Sequence, residues 1–222
     1  TKIPGGVTLN VEGWFKKMDN LIEYFGVNAI FPPLTGWDQS YVMGKGRSWG
    51  MENELSYKGD KIETAAYYTL MWNQRKFDDF YKDWFRDRND NRHKLTLMFK
   101  YKITKRFEVY SAWNYRSGSR MTVESHYESA PDMPDQGYVI EYPVYSEPNN
   151  LQLPDYHRLD LGLNFHKTTK RGNHSIWNLS IYNVYCRTNI IYAYVSPEYD
   201  NKGKVIGYIG EGLGLIPIIP TF

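Results

Sequence analysis

The residues whose types and spacing could do chemistry fall mainly in two polar stretches. In the first, Asp87-Arg88-Asn89-Asp90-Asn91 sets oxygen ligands at alternate positions, the opening pattern of a calcium loop. Arg92 stands where an EF-hand needs its turn glycine, however, and no glutamate closes the loop. A solvated loop is the stronger reading and a weakly held, loop-bound calcium ion the residual one; no other metal or cofactor is expected. The five histidines, His93, His126, His157, His166 and His174, lack zinc-ligand spacing. His93 and His157 each open a strand after a long connection, where hydrolysis would need a serine or carboxylate partner. Ser119, Ser125 and Asp155 lie nearby, with nothing in their spacing to single them out.

The second stretch, residues 117–156, has seven acidic residues (Glu124, Glu128, Asp132, Asp135, Glu141, Glu147, Asp155) against one basic, Arg120. It also carries Tyr127, Tyr138, Tyr142, Tyr145 and Tyr156. An aromatic, hydrogen-bonding loop suits capture of a polar ligand, because rings give rigid contact area and hydroxyls give specificity. A solvated covering loop fits the composition equally well. Trp84 (in the polar and aromatic segment 74–92), Tyr127, Tyr138, Tyr142 and Tyr145 are the ligand-contact candidates. Asn173-His-Ser175 and Asn178-Leu-Ser180 match the glycosylation pattern, but one falls in a short turn and the other in a strand.

The elements that must position these residues read as strands. Leu159, Leu161, Leu163 and Phe165 alternate with Arg158, Asp160, Asn164 and His166; Trp177, Leu179, Ile181 and Tyr185 alternate with Asn178, Ser180 and Tyr182. A two-residue period puts apolar side chains on one face and polar ones on the other. Similar runs begin near Val7, Trp49, Ile62, Leu95 and Phe107, and a final apolar piece runs over residues 205–222, interrupted by Pro217 and Pro220. The connections alternate in length: long at 26–47, short at 58–61, long at 74–92, short at 103–105, long at 117–156, short at 167–173, then medium at 196–203. A transmembrane barrel has a reason for that alternation, since its turns stay short on one side and its loops grow on the other. Glu52, Glu54, Lys94, Lys100, Arg116, Arg158 and Asp160 would then face a wide lumen. Tyr57, Trp72, Tyr101, Phe107, Trp113, Phe165 and Trp177, near strand ends, would sit at headgroup level.

Composition agrees with a sheet that is wet on one face. Aromatics make up 17% of the 222 residues, with 20 tyrosines, while mean hydropathy is −0.61. A net charge of +2 is too small to imply a nucleic-acid partner. One cysteine, Cys186, excludes an internal disulfide. No apolar run is long enough for a spanning helix, which leaves a β-barrel open. A soluble sandwich packing the same aromatics in a core is a competing reading.

Several pieces in order, GRSWGMENELSYKGDK, YYTLMWNQRKFDD, RHKLTLMFKYKITKRFEVYSAWNYRSGSRMT, LPDYHRLDLGLNFH and SIWNLSIYNVYCRTN, resemble the C-terminal barrel portion of TonB-dependent outer-membrane receptors of the Bacteroidetes type. The resemblance covers nearly the whole chain. It implies an all-β, antiparallel transmembrane barrel in which residues 1–222 supply about eight of some 22 strands. The plug domain and the N-terminal barrel strands would lie outside this sequence. The implied activity is uptake of a scarce siderophore, vitamin, glycan or peptide across a Gram-negative outer membrane, without bond-making chemistry. The implied partners are membrane lipid, the rest of the receptor with its plug, and the TonB complex; a surface lipoprotein is admitted as well. Competing expectations are a self-contained eight-stranded barrel with an adhesive, structural or rim-hydrolase role, and a soluble ligand-binding β protein.

Overall fold

The two-residue alternation makes strands, and the pairing register decides which face each residue takes. The computed structural model describes residues 2–3, 5–24, 41–79, 81–129, 141–201, 205–215 and 218–221. Its strands are β1 (Lys2–Ile3), β2 (Val7–Tyr24), β3 (Tyr41–Lys58), β4 (Ile62–Phe77), β5 (Tyr81–Arg86), β6 (His93–Lys102), β7 (Phe107–Arg116), β8 (Arg120–Met121), β9 (His126–Ser129), β10 (Glu141–Val144), β11 (Leu151–Gln152), β12 (Tyr156–Thr168), β13 (His174–Tyr182), β14 (Asn189–Tyr199), β15 (Val205–Leu215) and β16 (Ile219–Thr221). One antiparallel sheet runs β2-β3-β4-β6-β7-β12-β13-β16, with β1 beside β2 and β5 beside β4. Those eight wall strands match the expected number, and the all-β antiparallel architecture is the one anticipated.

Directly paired residues share a face, so the register yields rows. Leu9, Leu55, Ala66, Leu97, Trp113 and Leu159 stand in one row across six strands. One residue further along, Asn10, Glu54, Tyr67, Thr96, Asn114 and Arg158 form a row on the opposite face. Among the described residues, the apolar face has no second layer. Phe15 is 71% exposed, Trp177 69% and Val11 62%, whereas the buried hydrophobic residues among those described are Phe77, Phe85 and Leu153, all beyond the wall. A soluble sandwich would pack this face against another sheet about 10 Å away. Left bare over six strands, it is a surface for hydrocarbon.

Aromatics bound this face at both ends. Trp49 stacks on Trp72 at 5.9 Å toward one end, and Phe107 packs on Phe165 at 4.8 Å toward the other. From Trp49 to Tyr57 along β3, the strand rise of ~3.3 Å per residue gives roughly 26 Å, close to the ~25 Å apolar band of an outer-membrane barrel once tilt is allowed for.

Connections sort by length to the two ends of the wall. The short ones are tied locally: Gly59 N donates to Ile62 O at 2.8 Å, Thr104 Oγ1 accepts from Arg106 N and Phe107 N at 3.1 and 3.0 Å, and Gly172 turns with φ 82°. Three expected boundaries move. Residues 41–47 are strand, not loop, because Gly44 leaves room for Phe77: a Cβ there would lie 2.4 Å from that ring. Segment 74–92 contains the end of β4 and the returning β5, and 117–156 contains the small ladders β8–β11 and β9–β10. The last connection is long as well. Among the described residues, β14 and β15 pair only with each other, and β16 then returns to β13 through Ser180↔Thr221, Ile181↔Pro220 and Tyr182↔Ile219.

The sheet does not close on itself: β2 is not paired with β13 or β16 among the described residues. That counts against the self-contained small barrel. An arginine at Leu97 or Leu161 should cost about 2–4 kcal/mol in lipid, and one at Thr96, on the opposite face, much less. Urea titration of the intact protein in liposomes checks this; equal costs on both faces would mean that the apolar face does not meet hydrocarbon.

Candidate functional site

The well-packed part of the chain is a platform at the long-connection end of the wall. Here β4 runs past the start of β6, so β5 can pair with it. Phe77, fully buried, tilts against Phe85 at 6.2 Å, and Tyr81 meets Phe85 edge-on at 5.9 Å. This apolar nucleus lies beside two buried carboxylates. Asp90 accepts from Arg86 Nε at 2.5 Å, from Arg92 Nη2 at 3.1 Å and from the Asn73 amide at 3.1 Å. Asp87 pairs with Arg75, which also reaches Glu23 at 2.9 Å, and accepts from the Asn89 amide at 2.7 Å. The oxygens of the suspected calcium loop thus hold guanidinium groups and backbone amides. Its Asn91 donates to Ser117 O and Ser119 Oγ at 2.8 and 3.1 Å. The sequence signal for this clamp is the alternation of Arg and Asp over 86–92.

The second long loop closes onto the same cluster. Arg120 donates to the carbonyls of Asn149 at 2.8 Å and Asn150 at 3.3 Å, and burial, with Arg86 nearby, pushes its guanidinium pKa down. Asn149, at φ 57°, donates from Nδ2 to Arg86 O at 2.8 Å, tying 117–156 to β5. Gly118 permits the closest approach, since a Cβ there would fall 1.6 Å from Leu153 O. Asp155 then locks the crossing, accepting from Tyr115 OH at 2.7 Å and Gly118 N at 3.0 Å.

The ligand-contact candidates are not gathered into one cluster. Trp84 lies on β5 with the Arg47 guanidinium 4.3 Å over its ring. Tyr127 and Tyr142 occupy the β9–β10 hairpin on opposite faces, because Tyr127 pairs with Pro143 and Tyr142 with Glu128. Tyr142 OH donates to Glu128 at 2.9 Å, which raises the phenol's pKa; His126 and Tyr142 together lower that of Glu128. Tyr145 OH reaches Glu124 at 3.4 Å. Tyr138 lies outside the described residues. For rim hydrolysis, the groups are committed elsewhere: His93 Nδ1 to Tyr68 OH at 2.8 Å, His157 Nδ1 to Tyr185 OH at 2.7 Å, and Ser125 Oγ to Ser146 Oγ at 2.9 Å.

The seven charged residues expected to face a lumen do share the polar face. Lys100 pairs with Glu63 at 2.9 Å, as does Lys102 at 3.1 Å. Arg158 binds Asp160 through Nη2 at 2.8 Å, and Asn10 Nδ2 donates to Glu54 at 2.9 Å. The row Glu12, Glu52, Thr69, Lys94, Arg116, Tyr156 is different. It sets Glu12 directly across from Glu52 and Lys94 directly across from Arg116. None of these four has an ion pair among the described residues. Two like charges ~6 Å apart repel by about 0.7 kcal/mol in water and about 3 kcal/mol at an effective dielectric of 20. Sequence reasoning misses Glu12, and takes Tyr156 for a loop residue, because pairing across strands cannot be read from either strand alone.

Comparison with known proteins bears on what such a wall belongs to. The model of the TonB dependent receptor-like β-barrel family matches residues 3–184. The crystal structure of the ferripyoverdine receptor of the outer membrane of Pseudomonas aeruginosa, bound to ferripyoverdine, is similar, with a TM-score of 0.51 and 16% identity. The match covers 84% of this chain and 22% of that one, so the chain spans about a fifth of that receptor, and at this identity the likeness is one of fold. No curated protein matches. Within the platform, Asp90→Ala should destabilise by roughly 3 kcal/mol, since it leaves two part-buried guanidinium groups without their carboxylate. Gly118→Val should free β8 and β11. Hydrogen exchange of the intact protein checks both, with protection lost at residues 117–123 and 149–153 while β6 and β7 stay protected.

Proposed function

The chain belongs to the TonB-dependent receptor-like β-barrel family, and from that premise we propose that it forms part of the wall of an outer-membrane receptor that takes up a scarce nutrient with energy delivered through TonB. Its place is the outer membrane of a Gram-negative bacterium. The observation that carries the reading is the wall itself: an uncovered apolar face, a polar face in strict register, and every long connection at one end. The apolar face meets lipid, and Glu52, Glu54, Lys94, Lys100, Arg116, Arg158 and Asp160 line the passage. The platform end faces outward, with Trp84 and the β9–β10 tyrosines as ligand contacts, and the short turns face the periplasm.

Sheet edges left open within one chain segment invite pairing. Further strands of the same receptor, up to about 22, would close the barrel, with a plug domain inside it and a surface lipoprotein as a further candidate partner. The passage does no bond-making chemistry. A siderophore, vitamin, glycan or peptide is the cargo class; the similar structure is that of a ferripyoverdine receptor.

The test is accumulation of labelled ferric siderophores, cobalamin, oligosaccharides and peptides by cells carrying the complete receptor. At least one ligand should bind at the surface with or without TonB but enter only when TonB and the proton gradient are intact. Receptor-dependent entry that ignores the loss of TonB would sink the proposal, as would the absence of any receptor-dependent ligand.

A further inference from the structure

On the polar face, below the platform, Lys94, Thr96, Asn114, Tyr115, Arg116, Tyr156 and Arg158 line a recess of about 340 Å³. Three of these seven residues are cationic, and none carries a carboxylate. Lys94 and Arg116 are directly opposed across β6 and β7. Tyr156 organises the two guanidinium groups: Arg116 lies over its ring at 4.7 Å, and its hydroxyl accepts from Arg158 Nη1 at 3.0 Å. Arg158 is held from behind by Asp160, at 3.0 Å from Nε, and stacks 3.8 Å over Tyr182. One cation is therefore neutralised and fixed, and two are left to repel each other. Acidic groups stand in the same row, but Glu52 on β3 is two strands from Lys94 and Glu12 on β2 is three. At ~4.8 Å per strand they are about 10 and about 14 Å away, too far to pair with it.

We propose that this recess is an oxyanion-binding subsite that receives a carboxylate or phosphate group of the incoming ligand. An oxyanion between Lys94 and Arg116 removes their repulsion and gains charge-assisted hydrogen bonds from the ammonium and the guanidinium. Asn114, whose Oδ1 accepts from Thr96 Oγ1 at 3.1 Å, adds its amide nitrogen as a neutral donor beside it. The site lies at the mouth of the polar face, where a ligand leaving the outer loops would first meet the wall. This inference rests on the receptor reading for its biological meaning, whereas anion binding itself can be measured without transport.

The experiment is calorimetric titration of the complete receptor in detergent with citrate and, separately, inorganic phosphate. At least one anion should bind, and more weakly as sodium chloride is raised. Lys94→Gln and Arg116→Gln should each weaken it by about tenfold or more, Lys94→Arg should restore most of the affinity, and Lys170→Gln, in the exposed short turn after β12, should leave it unchanged. Heat-modifiable gel mobility shows that each variant is folded. No binding of either anion, or binding unchanged in both glutamine variants, overturns the subsite. If uptake depends on TonB and neither anion binds, only the subsite fails. If the anions bind as described and no ligand is taken up, only the receptor reading fails.

Discussion

The sheet register is the constraint on which the rest of the structure depends. Every backbone amide of a wall strand needs a partner, and the antiparallel ladder supplies it while fixing which side chains share a face. A one-residue slip between any two strands would carry Leu97 or Leu161 to the polar face and Lys94 or Arg158 to the apolar one. That cost binds the wall strands to one alignment although no second layer packs against them. Cross-strand contacts such as Trp49 with Trp72 and Phe107 with Phe165 add to the alignment at both ends.

Because the wall presents its apolar residues outward, it has no interior of its own, and the chain builds its packed core elsewhere. Phe77 is buried at the overhanging end of β4, Phe85 on β5 and Leu153 in the second long loop. There the overhang of β4 gives β5 a strand to pair with, and the Arg75–Asp87 and Arg86–Asp90–Arg92 contacts hold the turn between β5 and β6. The second long loop is then tied to that turn through Asn91, Arg120 and Asn149. The result is a stiff mount at the end of the wall where ligand contacts are proposed. Rigid elements beneath variable loops are the usual way a binding surface is positioned.

Charge on the polar face is arranged by the same register. Some of it is neutralised locally, as in Glu63 with Lys100 and Lys102 or Arg158 with Asp160. The Glu12–Glu52 and Lys94–Arg116 pairs are not, and the two signs stand on different strands of one row. A wall that kept like charges opposed without use would lose stability for nothing. In the proposed passage this separation would orient a charged ligand.

Much of this was legible in the residues. The two-residue period of Leu159 to Phe165 and of Trp177 to Ile181 determines strands with one apolar face, and the alternation of short and long connections determines antiparallel neighbours with their loops at one end. Those are local properties, set by side-chain direction along a strand and by turn chemistry. Glycines misled where they made room instead of turns: Gly44 reads as a breaker yet sits mid-strand beneath Phe77. The run 87–91 reads as oxygen ligands, and only the fold could bring Arg75, from another strand, to one of its carboxylates. The apolar piece from Val205 reads as one more strand run, yet among the described residues its β15 pairs only with β14, because pairing partners are chosen in three dimensions. Which cations face each other, and that Tyr156 lies between Arg116 and Arg158, likewise depends on residues as far apart in sequence as Arg116 and Tyr156 being placed side by side by the ladder. Sequence determined the faces of the strands; tertiary structure decided what stands next to what on them.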